Sequence, residues 1–139
     1  MSLDIPLILD RLTYRYPSLL IDSIVDHKPG VSIAVVKNVT VNEEYFQGHF
    51  PRRPVMPGVL IIESMAQTAA VLVVRTLGQK MAGKLVYFMS VNECRFRKPV
   101  FPGDQLLVNV KKKHQRKNVS KFQAEVDVDK EVVAQATYS

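Results

Sequence analysis

The sequence has little cysteine and no recognisable metal motif. Cys94 is the single cysteine among the 139 residues. It cannot form a disulfide within the chain, which is typical of a reducing compartment. The three histidines are scattered and no cysteine pair accompanies them, so the ligand spacing of a structural zinc site is absent.

The chain also lacks the features that would divide it or export it. It has no internal repeat, low-complexity tract or long linker. The first residues, MSLDIPLILDRL, carry acids and lack the basic start and small-residue cleavage site of a secretory signal. With 139 residues and 47% hydrophobic content, the sequence predicts one non-exported domain over residues 1–139, long enough to bury a core.

Positive charge is unevenly distributed. The formal net charge is +6, and nine Lys or Arg stand against the single acid Asp104 within residues 95–121. This asymmetry predicts an anionic partner, which could be nucleic acid, a membrane surface or an acidic protein. The basic residues include no recognition motif or interleaved stacking aromatics, so nucleic acid is disfavoured.

The hydrophobic pattern predicts an α+β fold. Pro57 and Gly78 bracket an apolar run, which predicts one long helix over 57–77. Asp129 and Lys130 separate two alternating runs, as in a tight hairpin turn. Runs rich in Val, Ile and aromatics predict six strands over 19–26, 31–40, 84–92, 104–113, 119–128 and 131–138. We therefore expect a sheet of five or six strands curled around one buried helix.

One carboxylate interrupts the long apolar run. Between Pro54 and Val74, Glu63 is the single formal charge. A helix that is apolar all round belongs in a core or in a membrane, but polar residues such as Gln67 make a simple membrane span unsuitable. A buried ionised Glu63 needs a partner, a water-lined pocket or a raised pKa. A glutamate satisfied by backbone donors or across a subunit interface is the structural alternative.

Two further groups near the predicted helix start suit chemistry at a carbonyl. His49 precedes a proline-rich turn that leads into the helix, so it could pair with Glu63 as base and acid. Helix N-termini present unbonded N–H groups, and Gly58 would let a ligand oxygen approach them closely. This set fits proton abstraction beside a carbonyl, or elimination across the adjacent carbons. A purely structural His49 is the alternative.

Three motifs stand in order along the chain: RYPSLLID at 15–22, GHFPRRPVMPGVLIIESMAQTAA at 48–70 and YFMSVNECRFRKPVFPGDQL at 87–106. At these motifs the sequence resembles the (3R)-hydroxyacyl-[acyl-carrier-protein] dehydratases of type II fatty acid synthesis. The histidine, the prolines and the glutamate stand at the family's spacing. A sister family of dehydratase-isomerases carries Asp where this chain has Glu63, so the plain dehydratases are the nearer match.

The resemblance implies a fold, an assembly and roles for particular residues. It implies a hot-dog fold, in which an antiparallel sheet wraps a central helix, and a single dehydratase domain over 1–139. It also implies a dimer, commonly assembled in threes, with His49 of one subunit facing Glu63 of the other. Gly58 and Val59 would bind the thioester carbonyl through their backbone N–H groups. Gln67 would hold the Glu63 carboxylate, or would instead be a helix polar group that meets a strand.

The implied reaction is syn-type loss of water from a 3-hydroxyacyl thioester. His49 would remove the carbon-2 proton, and Glu63, directly or through a water, would protonate the departing hydroxyl. No metal or organic cofactor is needed, and the sequence has neither a P-loop nor a G-x-G-x-x-G fingerprint. Phe88 resembles an aromatic at the mouth of the acyl tunnel. Because Tyr87 and Phe88 alternate on a predicted strand, one of them must simply face the core.

The implied partner is the acidic acyl carrier protein. Arg95, Arg97 and Lys98 would steer it by complementary charge. The second basic run, KKKHQRK at 111–117, is better interpreted as a solvated hairpin tip whose charges prevent edge pairing. The expected compartment is the cytoplasm, with a plastid-type organelle as the alternative. A hot-dog acyl-binding module without catalysis and a hot-dog thioesterase remain as alternative functions.

Overall fold

Six antiparallel strands and one long helix form the part of the chain that the structure describes. The structure is a computed structural model, and it describes residues 19–43, 46, 54–77, 90–116 and 119–139. The elements are β1 (Ser23–Lys28), β2 (Ser32–Asn38), α1 (Gly58–Leu77), β3 (Val91–Phe96), β4 (Gln105–Arg116), β5 (Val119–Val128) and β6 (Glu131–Tyr138). The predicted α+β class and the number of strands are confirmed.

The strands form one sheet in the order β1-β2-β4-β5-β6-β3. Strands β4, β5 and β6 follow one another as a meander, because short connections favour antiparallel neighbours. The predicted turn between β5 and β6 is confirmed: Asp129 and Lys130 both have positive φ, 50° and 69°. Two successive residues with positive φ are typical of the type I′ turn, which matches the twist of the strands it joins.

The strand predicted over 84–92 is only partly supported. Ser90 lies outside any strand, β3 begins at Val91 and it extends to Phe96, whereas residues 84–89 lie outside the described part. The pairing of β3 with β6 shifts between Asn92 and Arg95, and Glu93 has a φ of 52° there. This β-bulge depends on pairing with a strand some forty residues away, so local sequence does not predict it.

The predicted helix is confirmed over almost its full length. The carbonyl of Pro57 accepts hydrogen bonds from the N–H groups of Leu60 at 3.0 Å and Ile61 at 3.3 Å. Proline suits this position because a helix start does not need its missing N–H. Neither α1 nor any other helix within the described ranges is long and apolar enough to cross a membrane.

The helix is covered on one face rather than all round. Ile61, Met65, Ala69 and Leu72 are almost fully buried and recur at helical spacing toward β2, β4, β5 and β6. On another face, Val59 is 71% exposed, and Ile62, Glu63, Ala66 and Val73 are half-buried. The predicted arrangement of a sheet around a central helix is confirmed, and the sheet covers one side of that helix.

We expect Lys130→Gly to stabilise the fold by about 1 kcal/mol, because glycine adopts a positive φ without the steric cost that a side chain imposes. The thermal midpoint, measured at fixed protein concentration, should rise. Lys130→Ala is the control, since it keeps the β-carbon and should give no gain. An equal rise in both variants would contradict the turn argument.

Candidate active site

The Glu63 carboxylate is held by a neighbour one helical turn away. The side-chain amide nitrogen of Gln67 donates a hydrogen bond to Glu63 Oε1 at 3.2 Å. Glu63 is half-buried.

The same glutamine also fixes the chain that leads into β1. Gln67 is fully buried, and its Oε1 accepts a hydrogen bond from the N–H of Leu20 at 2.8 Å. The hydroxyl of Ser64 donates to the carbonyl of Leu20 at 2.8 Å. Gln67 thus contacts the Glu63 carboxylate, and its second contact is with the segment before β1 rather than with a strand. Leu20 is bound to the helix through both its donor and its acceptor.

The start of α1 carries two N–H groups that the helix itself does not use. Helix geometry leaves the N–H groups of Gly58 and Val59 without an intrahelical acceptor, at the positive end of the helix dipole. The space beside Gly58 contains an aromatic ring, however. A β-carbon at position 58 would lie 2.9 Å from the Cζ atom of Phe96. Because Gly58 has no side chain, the ring of Phe96 can occupy this space. The sequence analysis expected glycine here for another reason, the close approach of a ligand.

The β-bulge in β3 directs Phe96 toward the helix. Asn92 pairs with Thr137 and Phe96 pairs with Ala134, and cross-strand partners lie on the same face of a sheet. Ala134 is fully buried beneath the helix, so Phe96 is on the helix side while Asn92 is on the opposite side. Without the extra residue, Asn92 and Phe96 would share a face. Sequence reasoning missed Phe96 because glutamate gives no signal for the left-handed conformation at position 93.

A tyrosine reaches the helix turn that carries Glu63. The hydroxyl of Tyr138 donates a hydrogen bond to the carbonyl of Ile62 at 2.6 Å. Burial raises the pKa of the Tyr138 phenol, and the charges of Cys94 and Glu63 add to this rise. Burial also raises the pKa of the Cys94 thiol, which opposes formation of a thiolate nucleophile. Sequence reasoning did not single out Tyr138, since its contact depends on where β6 ends under the helix.

The remaining predicted residues fall into two groups. His49 and Phe88 lie outside the described residues. Arg95, Arg97 and Lys98 are exposed on and just after β3. Arg97 donates two hydrogen bonds to Gln135 Oε1, each at 3.3 Å, and Lys98 forms an ion pair with Glu131.

An apolar groove lies apart from the Glu63 carboxylate. Its volume is about 630 Å³ and it is lined by Val41, Pro54, Val55, Pro99, Phe101 and Pro102. Within the described ranges, no group of three or more His, Cys, Asp or Glu side chains is arranged to bind a metal ion.

Comparisons with known proteins agree with one another over most of the chain. Residues 12–137 match the FabA-like domain. A protein of Paramagnetospirillum magneticum is 60% identical over 137 residues, covering 99% of this chain and 85% of that protein. One of Rhodospirillum rubrum is 57% identical over 138 residues, covering 99% and 86%. Each of these two relatives is named a 3-hydroxyacyl-[acyl-carrier-protein] dehydratase FabZ.

Solved structures support the fold. The smu.793 protein of Streptococcus mutans, bound to acetyl CoA, superposes with a TM-score of 0.67 at 17% identity, covering 91% of this chain and 90% of that one. The PaaI protein of E. coli gives a TM-score of 0.65 at 20% identity, covering 83% and 78%. These likenesses concern architecture alone, and together with the sheet order they establish the expected hot-dog fold.

We expect Cys94 to react with a disulfide reagent such as DTNB more slowly in the folded protein than in the urea-unfolded chain at pH 8. Burial raises the pKa of this thiol, so less of the reactive thiolate is present at that pH. The unfolded chain is a matched control because it presents the same single thiol. Equal rates in the two states would contradict the burial argument.

Proposed function

The chain belongs to the family of 3-hydroxyacyl-[acyl-carrier-protein] dehydratases with a FabA-like domain, and on that premise we propose that it dehydrates (3R)-hydroxyacyl-acyl carrier protein to the trans-2-enoyl thioester in fatty acid biosynthesis. The observation that carries this proposal is the Glu63 carboxylate held by Gln67 at 3.2 Å. We assign the whole chain, 1–139, to one dehydratase domain. Because the named relatives are bacterial, the proposed place of action is the cytoplasm.

The proposed mechanism uses two side chains and the helix start. The N–H groups of Gly58 and Val59 bind the thioester carbonyl and stabilise the negative charge that develops on its oxygen. His49 removes the proton from carbon 2, and the electron pair forms the new double bond. The hydroxyl on carbon 3 leaves as water after it takes a proton from the acid form of Glu63, directly or through a water, and Glu63 is left as the carboxylate. The substrate loses a hydrogen from carbon 2 and a hydroxyl from carbon 3, which together are the elements of water. No external oxidant or reductant is consumed.

The position of Glu63 favours this role over a structural one. A carboxylate that only satisfied backbone donors would be enclosed, whereas Glu63 is half-buried and beside a largely exposed apolar residue, Val59. Its hydrogen bond from Gln67 engages Oε1 and leaves acceptor positions for a substrate hydroxyl or a water. As the proposed general acid, Glu63 would carry its proton on Oε2, since Oε1 accepts the hydrogen bond from Gln67.

We infer that a second copy of the chain completes the site. The half-covered face of α1, which carries Val59, Ile62, Ala66 and Val73 around Glu63, is apolar enough to be buried in an interface. Pairing across this face would bring His49 of one subunit to Glu63 of the other, as the family resemblance implies. Three such dimers assembled into a hexamer form part of the same proposal.

The proposed protein partner is an acyl carrier protein that bears a 3-hydroxyacyl chain. Arg95 is exposed on β3 and Arg97 is exposed directly after it, and β3 also supplies Phe96 at the helix start. A basic surface beside the proposed tunnel would attract an acidic carrier protein and speed its encounter. The ion pair between Lys98 and Glu131 reduces the contribution of Lys98, so Arg95 and Arg97 carry the greater part of the proposed attraction.

Turnover of a short 3-hydroxyacyl-acyl carrier protein, followed by the absorbance of the conjugated enoyl thioester, tests the activity. We expect His49→Ala and Glu63→Gln each to lower kcat by about 10² or more, because each removes a proton-transfer group. Glu125→Gln is the matched control, since Glu125 is an exposed glutamate on β5 that the mechanism does not use. Release of free thiol without enoyl product would indicate a thioesterase. The absence of both free thiol and enoyl product would indicate an acyl-binding module.

The carrier-protein surface is tested by charge reversal. Arg95→Glu should raise the KM for the carrier-protein substrate about ten-fold at low ionic strength, since it places a negative charge against an acidic partner. The KM for the coenzyme A analogue should stay unchanged. Lys121→Glu, at an exposed position on β5, provides the same charge change elsewhere. Equal effects of the two variants would refute the assignment of the partner to β3.

A further inference from the structure

Tyr138 is buried beneath the helix although it is the penultimate residue of the chain. It ends β6, pairs with Val91 of β3 and Phe122 of β5, and has the largest side chain among the described residues that are fully buried. A buried phenol requires a hydrogen-bond partner. Tyr138 finds one on the helix.

The partner of Tyr138 is the peptide that joins Ile62 to Glu63. The phenol donates a 2.6 Å hydrogen bond to the Ile62 carbonyl, and the nitrogen of that same peptide belongs to Glu63. In an α-helix this carbonyl already accepts the N–H of the residue four positions on, which here is Ala66. The phenol is therefore a second donor, and it links the Glu63 backbone to the end of β6.

Glu63 is thus held at its carboxylate and at the peptide bond that precedes it. Gln67 holds the carboxylate at 3.2 Å, and Tyr138 holds the peptide from which the side chain extends. Because a displacement of about 1 Å in a catalytic group can lower the rate about 10²-fold, control of the backbone is as relevant as control of the carboxylate. Burial raises the pKa of the phenol, so Tyr138 remains a protonated donor at neutral pH.

We propose that Tyr138 is a positioning residue for dehydration: through the Ile62 carbonyl it aims the Glu63 carboxylate at the substrate hydroxyl. This inference rests on the proposed function, since it requires Glu63 to be the proton donor. Tyr138 itself touches neither substrate nor reacting atoms in this mechanism. Its contribution should therefore appear in kcat, with little change in KM.

The test is Tyr138→Phe, which removes the hydroxyl and keeps the ring. The Ile62 carbonyl retains its intrahelical bond, so the variant leaves no buried group unpaired and should fold. We expect kcat to fall about ten-fold and KM for the acyl thioester to stay unchanged. Thr68→Val is the matched control, because Thr68 Oγ1 is likewise a buried hydroxyl that donates to a helix carbonyl, that of Ser64 at 2.8 Å.

A double-mutant cycle shows whether Tyr138 acts through Glu63. In a Glu63→Gln background, adding Tyr138→Phe should cause no further loss of kcat. The proposal is overturned by a wild-type kcat in Tyr138→Phe, by an equal fold loss in the Glu63→Gln background, or by the same loss in Thr68→Val. Each of these results would mean that the phenol does not act by positioning Glu63.

Amide hydrogen exchange separates a failure of this inference from a failure of the proposed function. If the wild-type protein forms no enoyl product, the proposed function fails whatever Tyr138 does. The positioning contact is then judged on the exchange rate of the Ala66 amide, which should rise in Tyr138→Phe and not in Thr68→Val. Unchanged exchange in Tyr138→Phe would overturn the positioning contact as well.

Discussion

The side-chain amide of Gln67 is the interaction on which the candidate site depends. It is fully buried and uses both of its ends, one on Glu63 Oε1 and the other on the N–H of Leu20. Leaving a buried amide unpaired costs about 1–3 kcal/mol, so these two contacts require each other. The segment entering β1 and the acidic carboxylate are consequently fixed to a single point on the helix. The position of the segment that enters β1 and the position of the Glu63 carboxylate therefore both depend on Gln67.

A second constraint is that one antiparallel sheet covers only one side of α1. Residues such as Met65 and Ala69 are fully buried against the strands, while the face with Val59 and Glu63 is not. Glu63 lies at the border between the two faces, half-buried and held by Gln67. A fully exposed glutamate would lack a fixed direction. This border position is why the proposed second copy of the chain is needed to complete a pocket.

Particular elements show how far local sequence could go. The helix over 58–77 follows from the apolar run and Pro57, and the hairpin follows from Asp129 and Lys130 between two alternating strands. Glu63 and Gln67 could be paired in advance because residues four apart on a helix are neighbours. The strand predicted to end at residue 92 extends to Phe96, and the position of Phe96 at the helix was not predicted. Both depend on the bulge at Glu93. Which face a residue occupies after a bulge is decided by the partner strand and not by the residue itself.

The sequence by itself determined the class of fold, the long helix, the family resemblance and the helix-borne acid, because these depend on local periodicity and on motif spacing. The tertiary structure alone decided that Phe96 fills the space beside Gly58, that Leu20 is bound to Gln67 and Ser64, and that Tyr138 reaches the Ile62 carbonyl. Each of these contacts joins residues 38 to 76 positions apart in the chain. Such contacts arise from the register of paired strands and their packing under the helix, and periodicity within one segment carries no information about them.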